Sequence, residues 1–417
     1  MAATARLHGG TTGRLVRSGL WLAGAIAAAN ILNAAFQVVV ARALTPGEYS
    51  LAVTLFAAVM VLGVPALAVQ TAVARDVAAR LAAGDVPGAG LVLRESSRSL
   101  LFVCAALVPA ALAVGIPVAY VLNVQHPLPL VATAAVVGFS LALSVVWGGL
   151  QGSERFIPFS IGQLLQVVLK FVFGLGLALA GAGVAGVMFG LAAGTGVTLL
   201  FCAVPLRELW AAARPLPLRR RRLLTRFSAS AAVGLGVFTA LTTLDLLVAR
   251  ASFAPAVAGG YAAVSVAARA ILLVPVVVTT VLFPHVVTLG ERVRERRALV
   301  GALVTTAALG TLLTLLFAID PRALLELAFG TGYGLAADWL APLAAAMTIY
   351  SLAYVYLFHF LAVGRTRYWL VAAPVLGGQA VLYGFFHRTP EQLIAVQIAS
   401  AAVLAVASEV YDRRRPE

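Results

Sequence analysis

Continuous apolar runs of about 20 residues recur from one end of this 417-residue chain to the other. A helix needs about that length to cross the hydrocarbon core of a bilayer. In lipid, every backbone N–H and C=O must bond within its own element, so only helices and closed barrels span. Barrel strands would read as alternating segments of roughly 10 residues, and these runs do not alternate. Charged residues make up 11% of the chain, against about 25% in a soluble domain, and mean hydropathy is +0.99. These features predict an all-α polytopic membrane protein.

Twelve spans are expected, at roughly 18–41, 50–72, 99–123, 128–150, 158–180, 183–205, 227–249, 257–283, 298–319, 337–363, 368–386 and 391–410. Ala41-Arg42-Ala43 mimics a signal-peptide cleavage site. The run before it is too long for a secretory core and carries Asn30, Asn33 and Gln37, so it reads as a retained helix. Loop charge supports the count. With the N-terminus inside, 24 of the 30 Lys and Arg residues fall on cytoplasmic segments, and only Arg42, Arg250, Arg322 and Arg388 fall outside. The expected location is a bacterial cytoplasmic membrane, with both termini cytoplasmic.

The two halves echo each other. Val-Ala-Arg-Ala, a Pro-containing turn and a Tyr at the head of the next helix occur at Val40–Tyr49 and again at Val248–Tyr261. Gly152-x-x-Arg155-Phe156 is matched by Gly364-x-x-Arg367-Tyr368. Between the halves lies a basic stretch with Pro215, Pro217 and Arg219 to Arg222, suited to an anionic membrane surface. The expected organisation is a six-helix lobe over 1–206, a cytoplasmic linker over 207–226 and a second lobe over 227–417. Six is even, so the lobes insert in the same orientation, related by a pseudo-two-fold axis along the membrane normal.

The net charge of +14 would suggest nucleic acid in a soluble protein, but asymmetric loading of loops explains it here. No phosphate-binding G-x-x-x-x-G-K-[ST] and no H-E-x-x-H occurs, and the five His are scattered. No enzyme, cofactor or metal site is expected. Gly181–Gly186 fits G-x-G-x-x-G but follows no strand. Gly186, Gly190 and Gly194 have the spacing that lets membrane helices pack closely. Cys104 and Cys202 sit in apolar runs as small core residues.

The informative residues are polar ones inside the spans. Asn30, Asn33 and Gln37 share one face of span 1, and Gln163, Gln166 and Lys170 repeat that spacing on span 5. Thr239, Thr242 and Asp245 lie along span 7, Tyr261, Ser265 and Arg269 along span 8, and Tyr350 and Tyr354 on span 10. Uncharged members of such stripes can serve simply as hydrogen-bonding glue between helices. Charge is harder to explain that way, since an ion at mid-membrane costs about 2.5 kcal/mol or more. Asp245 either pairs with Lys170 or Arg269 or holds a coupling ion, a proton or sodium. Two cations against one acid leave the interior positive, with Arg42 and Arg250 adding charge at the outer mouth. That balance suits an anionic solute such as a phosphate.

These residues also resemble a family. Asp245 before an outer turn, Gly260-Tyr261 and Phe283-Pro284 are similar to helices 7 and 8 of polysaccharide-biosynthesis flippases. These belong to the multidrug/oligosaccharidyl-lipid/polysaccharide exporter (MOP) superfamily. Leu44, Pro46, Glu48 and Tyr49 resemble the family's helix 1–2 turn, and Phe329-Gly330 with Tyr333 the loop before helix 10. The resemblance implies a V-shaped pair of lobes working by alternating access. Its cargo would be a polyprenyl-pyrophosphate-linked oligosaccharide, a cell-surface polysaccharide precursor, moved from inner to outer leaflet. On that reading Lys170 and Arg269 meet the pyrophosphate. Asn30, Asn33, Gln37, Gln163, Gln166, Tyr261 and Ser265 hold the sugars, and the expected partners are membrane lipids and glycosyltransferases or a polymerase of the same pathway. Two rivals remain open. One is a proton- or sodium-coupled multidrug-type exporter with Asp245 as the ion site. The other is a membrane glycosyltransferase, for which the outer loops offer only scattered acids, Asp320, Glu326 and Glu391.

Overall fold

The computed structural model describes residues 28–121, 126–213, 226–279 and 292–414. They form helices with no strand among them. In chain order the helices are α1 (Ala28–Ala43), α2 (Pro46–Ala82), α3 (Val86–Val121), α4 (Leu128–Gly152), α5 (Phe156–Lys170), α6 (Gly183–Ala203) and α7 (Arg207–Ala212). There follow α8 (Arg226–Ser252), α9 (Pro255–Arg269), α10 (Arg292–Ile319), α11 (Pro321–Phe329), α12 (Leu340–Ala362), α13 (Trp369–Phe385) and α14 (Pro390–Arg413). The described part of each of the twelve expected spans falls on one of these helices. Among the described residues, nine stretches are long and apolar enough to cross a membrane, and Phe156–Ala212 counts as one of them although it bends back at Gly181. This is a multi-pass membrane protein. The start of span 1, the Phe283-Pro284 step and the linker's Pro215, Pro217 and Arg219 to Arg222 lie outside the described residues.

Local chemistry explains where the helices turn. Helix α5 runs on through wide turns at Phe171–Leu175 and Ala178–Ala182, and Gly181 then takes φ +87°, a left-handed conformation open to glycine. At the α2–α3 turn, Asp85 Oδ1 accepts from Gly88 N at 2.8 Å. That bond, with the Arg80 guanidinium beside it, holds the Asp85 carboxyl below its ordinary range. Asp320 caps α11 by accepting from Ala323 N at 2.9 Å, ahead of Pro321 at the first helical position.

The chain divides into two compact units. The first holds residues up to Gln37, Ala66–Pro117 and His126–Thr225; the second holds Val38–Pro65, Val118–Gln125 and Arg226–Glu417. The units differ from the sequence halves chiefly at Val38–Pro65, the end of α1 and the start of α2. Specific bonds account for that assignment: Tyr333 OH donates to Ala41 O at 3.1 Å, and Thr54 Oγ1 to Leu246 O at 3.3 Å. The division falls at Pro65, whose missing N–H interrupts the α2 ladder.

In the first unit, α5 and α6 pack as a tight antiparallel pair. A Cβ on Gly190 would overlap the Gly174 backbone, and one on Gly194 would stand 3.1 Å from Lys170 N. The small residues at 186, 190 and 194 therefore set the distance at which Lys170 is held. Gly190→Leu is expected to lower stability by about 1–3 kcal/mol through overpacking, measured by thermal unfolding in detergent. Gly176→Ala, with nothing within 4 Å of the new Cβ, serves as the neutral control.

Candidate functional site

Two polar clusters lie inside the apolar helices, one in each unit. In the first unit, the face of α5 that carries Gln163, Gln166 and Lys170 meets the polar face of α1. Lys170 Nζ donates to Asn33 Oδ1 and stands 4.6 Å from the centroid of the Phe36 ring. Phe36 is buried and packs edge-to-face on Phe171, with centroids 5.2 Å apart, which fixes the ring under the ammonium. Gln166 Nε2 donates to Thr195 Oγ1 on α6 at 3.4 Å. Gln37 Oε1 is shielded from solvent and accepts from no described residue. Gln163 is half-buried beside this group, and Asn30 is exposed a turn away on α1. No ion pair to Lys170 exists among the described residues, so its charge is met only by an amide oxygen and an aromatic face. An ammonium has three donors, which leaves capacity for an anion.

The second unit treats charge differently. Asp245 on α8 has no exposed surface, and three donors reach its carboxylate. Arg269 Nη2 donates to its Oδ1 at 2.7 Å, while Arg269 Nε donates to Thr242 O at 2.8 Å. Tyr261 OH donates to Oδ2 at 3.0 Å, and Ser265 Oγ reaches the same oxygen at 3.4 Å. The spacing along α9 places Tyr261, Ser265 and Arg269 on one face, each about one turn from the next, so that one helix wraps a single carboxylate. Of the two pairings open at the sequence level, the structure forms Asp245 with Arg269. The interior of this unit is thereby neutral at that point, and Arg269 is not a free cation.

Next to this pair lies a second polar group, of which the polar stripes included only Tyr350. Gln379 on α13 donates through Nε2 to Leu241 O at 3.1 Å and to Gln397 Oε1 on α14 at 3.0 Å, with Tyr350 OH and Tyr383 OH each at 3.4 Å. Both glutamines are buried. Each stands alone in an otherwise apolar run, and that isolation was the available signal. At the far end of α12, buried His359 lies 3.3 Å from Glu295 Oε1 and 3.5 Å from Asp412 Oδ1, and Arg296 bridges Asp412 and Glu409. These groups come from three helices far apart in sequence, and no spacing rule connects them.

The two arginines expected at the outer mouth both donate to main-chain groups. Arg42 Nε reaches Ala328 O at 3.0 Å and its Nη2 reaches Leu327 O. Arg250 Nη1 reaches Gly47 O at 3.1 Å and Ser50 Oγ at 3.0 Å. Arg42 remains exposed and Arg250 is half-buried.

No protein-family model matches the chain, and no curated protein matches it. Solved structures do. An inward-facing multidrug resistance MATE family transporter of the MOP superfamily is 18% identical, with TM-score 0.62 over 92% of each chain. The inward closed conformation of the lipid II flippase MurJ is 12% identical, with TM-score 0.69 over 95% of this chain and 88% of that one. The eukaryotic MATE transporter AtDTX14 is 14% identical, with TM-score 0.59 over 96% of both. The chain shares the overall fold of these solved structures. These similar structures are transporters and a flippase.

Arg269→Met leaves Asp245 charged and buried without its partner, and a loss of about 3–5 kcal/mol is expected in thermal unfolding. Asp245→Asn combined with Arg269→Met removes both charges and is expected to recover most of that loss.

Proposed function

We propose that this chain is a flippase for a polyprenyl-pyrophosphate-linked oligosaccharide, moving the head group from the inner to the outer leaflet by alternating access. The single observation that supports this most is Lys170: an ammonium inside the membrane, held by Asn33 and Phe36 and lacking a carboxylate among the described residues. A charge in hydrocarbon costs about 2.5–3.5 kcal/mol, and an arriving anion offsets that cost. A pyrophosphate supplies such an anion, with several strong acceptor oxygens for one ammonium. The amides of Asn33, Gln37, Gln163 and Gln166 supply donors and acceptors for sugar hydroxyls alongside it. Asn30 is assigned to the same cargo, whereas Tyr261 and Ser265 are buried and donate to Asp245. Arg269 in this conformation neutralises Asp245 and takes a secondary part in binding, as a guanidinium that would have to exchange a carboxylate for a phosphate.

A second reading, a proton- or sodium-coupled multidrug exporter, is supported by the likeness to MATE structures. The side chains favour the first. Asp245 already holds an internal cation at 2.7 Å, and the cationic Lys170 disfavours a cationic drug beside it. Coupling to a proton or sodium, if Asp245 carries it, would require Arg269 to move away first. The cytoplasmic membrane location, N-in and C-in, follows the arginine distribution.

Losing one charge-assisted hydrogen bond costs about 1.5–3 kcal/mol, or about tenfold or more in affinity. Lys170→Gln is therefore expected to cut surface-glycan export at least about tenfold in a strain lacking the native gene, while Lys170→Arg retains a substantial part. Export by Lys170→Gln at the wild-type rate, at equal protein level, would remove Lys170 from the site.

A further inference from the structure

The echoes set the two halves of the sequence in register. Aligning Val40–Ala43 with Val248–Ala251 places Gln37 at the position of Asp245 and Asn33 at that of Leu241. Aligning Gly152–Phe156 with Gly364–Tyr368 places Lys170 at the position of Leu382. The second half thus has an acid where α1 has an amide, and Arg269 neutralises that acid at 2.7 Å. The first half keeps a cation, Lys170, and carries amides where an acid would cancel it.

Geometry within the first unit shows what these amides do. Lys170 Nζ donates to Asn33 Oδ1. An ammonium has donors and no acceptor, so the end of the Asn33 amide that faces it must be the oxygen. The amide nitrogen, with two N–H donors, then stands on the same group and points elsewhere. Among the described residues nothing accepts from it. Asn33 and Lys170 are both half-buried, so neither is sealed from a ligand. Phe36 covers one side of the ammonium, with Nζ 4.6 Å from the ring centroid. That leaves donors of Lys170 and of Asn33 side by side, an arrangement that suits the several acceptor oxygens of one phosphoryl group. One turn along the same face of α1, the shielded amide oxygen of Gln37 has no partner among the described residues.

We infer that Asn33 and Gln37 are the specificity-determining residues of the Lys170 site, and that they make it selective for anions. As neutral amides they accompany the ammonium without cancelling its charge. Asn33 also offers its own NH2 as a second donor to the phosphoryl group that Lys170 meets. A carboxylate at either position would reproduce the neutral arrangement of Asp245 and Arg269 and turn an anion away. Amides serving only as glue between helices would have no such requirement for neutrality. The inference rests on Lys170 being an anion site, and adds which residues keep it one.

Calorimetric titration of inorganic pyrophosphate into the purified, detergent-solubilised full chain tests this without a transport assay. Wild-type protein is expected to bind it, and Lys170→Gln to weaken binding by about tenfold or more. Asn33→Asp and Gln37→Glu each replace an amide by a carboxylate of the same shape. Each is expected to weaken binding by about tenfold or more. Asn33→Leu, which installs the second half's residue, keeps the Lys170 charge but removes the NH2, and a loss of about threefold or more is expected. All variants are compared as monodisperse protein. Asn33→Asp gives Lys170 a carboxylate partner and is expected to unfold at no lower temperature than wild type, so its loss of binding is not a loss of fold. Binding within about threefold of wild type in either carboxylate variant, with loss in Lys170→Gln, overturns the inference and leaves Lys170 as the anion site. Unchanged binding in Asn33→Leu overturns the donor role of its NH2. Binding that Lys170→Gln leaves unchanged, or no binding by wild type, overturns the anion site itself and the inference with it.

Discussion

A charge carried into hydrocarbon needs a partner within hydrogen-bond reach, and the two units of this protein meet that requirement in opposite ways. Asp245 is enclosed by Arg269, Tyr261 and Ser265, so the second unit carries a neutral, fully bonded pair. Among the described residues, Lys170 has only Asn33 and the face of Phe36. The neutral pair joins α8 to α9 and fixes their register, while the single ammonium leaves a binding capacity in the first unit. The surrounding geometry serves these two arrangements. Glycines 186, 190 and 194 bring α6 close behind Lys170, and the spacing of α9 aims three side chains at one carboxylate.

Much of this architecture is legible in the residue order because a membrane leaves few choices. Spans must be apolar for about 20 residues, and their loops must sort by charge, so the helices could be counted before any coordinates. The polar stripes were legible for the same reason: an Asn or Gln in an apolar run stands out. The stripes of α1 and α5 meet at Asn33 and Lys170, and those of α8 and α9 meet at Asp245 and Arg269. Which cation would take Asp245 was not legible, since pairing is a tertiary choice between helices. Phe36 was missed because an aromatic in an apolar run carries no signal until its ring is seen beneath an ammonium. The group around His359 was missed because its members lie on three separate helices.

The echo of Val40–Tyr49 and Val248–Tyr261 was visible as a repeat, and a repeat alone suggested two equivalent corners. Structure adds that the corners touch, and that the first of them packs with the second compact unit. The arginines of the two echoes, expected at the outer mouth, donate to carbonyls of Gly47, Leu327 and Ala328. Residue order cannot distinguish an arginine awaiting an anion from one capping a helix end, because both sit at the same place in the chain.

The proposed cargo rests on Lys170 being an anion site, and reconstitution tests that most directly. Purified protein in liposomes loaded with a fluorescent polyprenyl-pyrophosphate oligosaccharide would be assayed for movement of the head group between leaflets, by access of a membrane-impermeant quencher. Protein-dependent movement, competed by the unlabelled lipid-linked glycan and absent without protein, is the expected result. No movement of the lipid-linked glycan, together with protein-dependent uptake of an organic cation against a proton or sodium gradient, would contradict it.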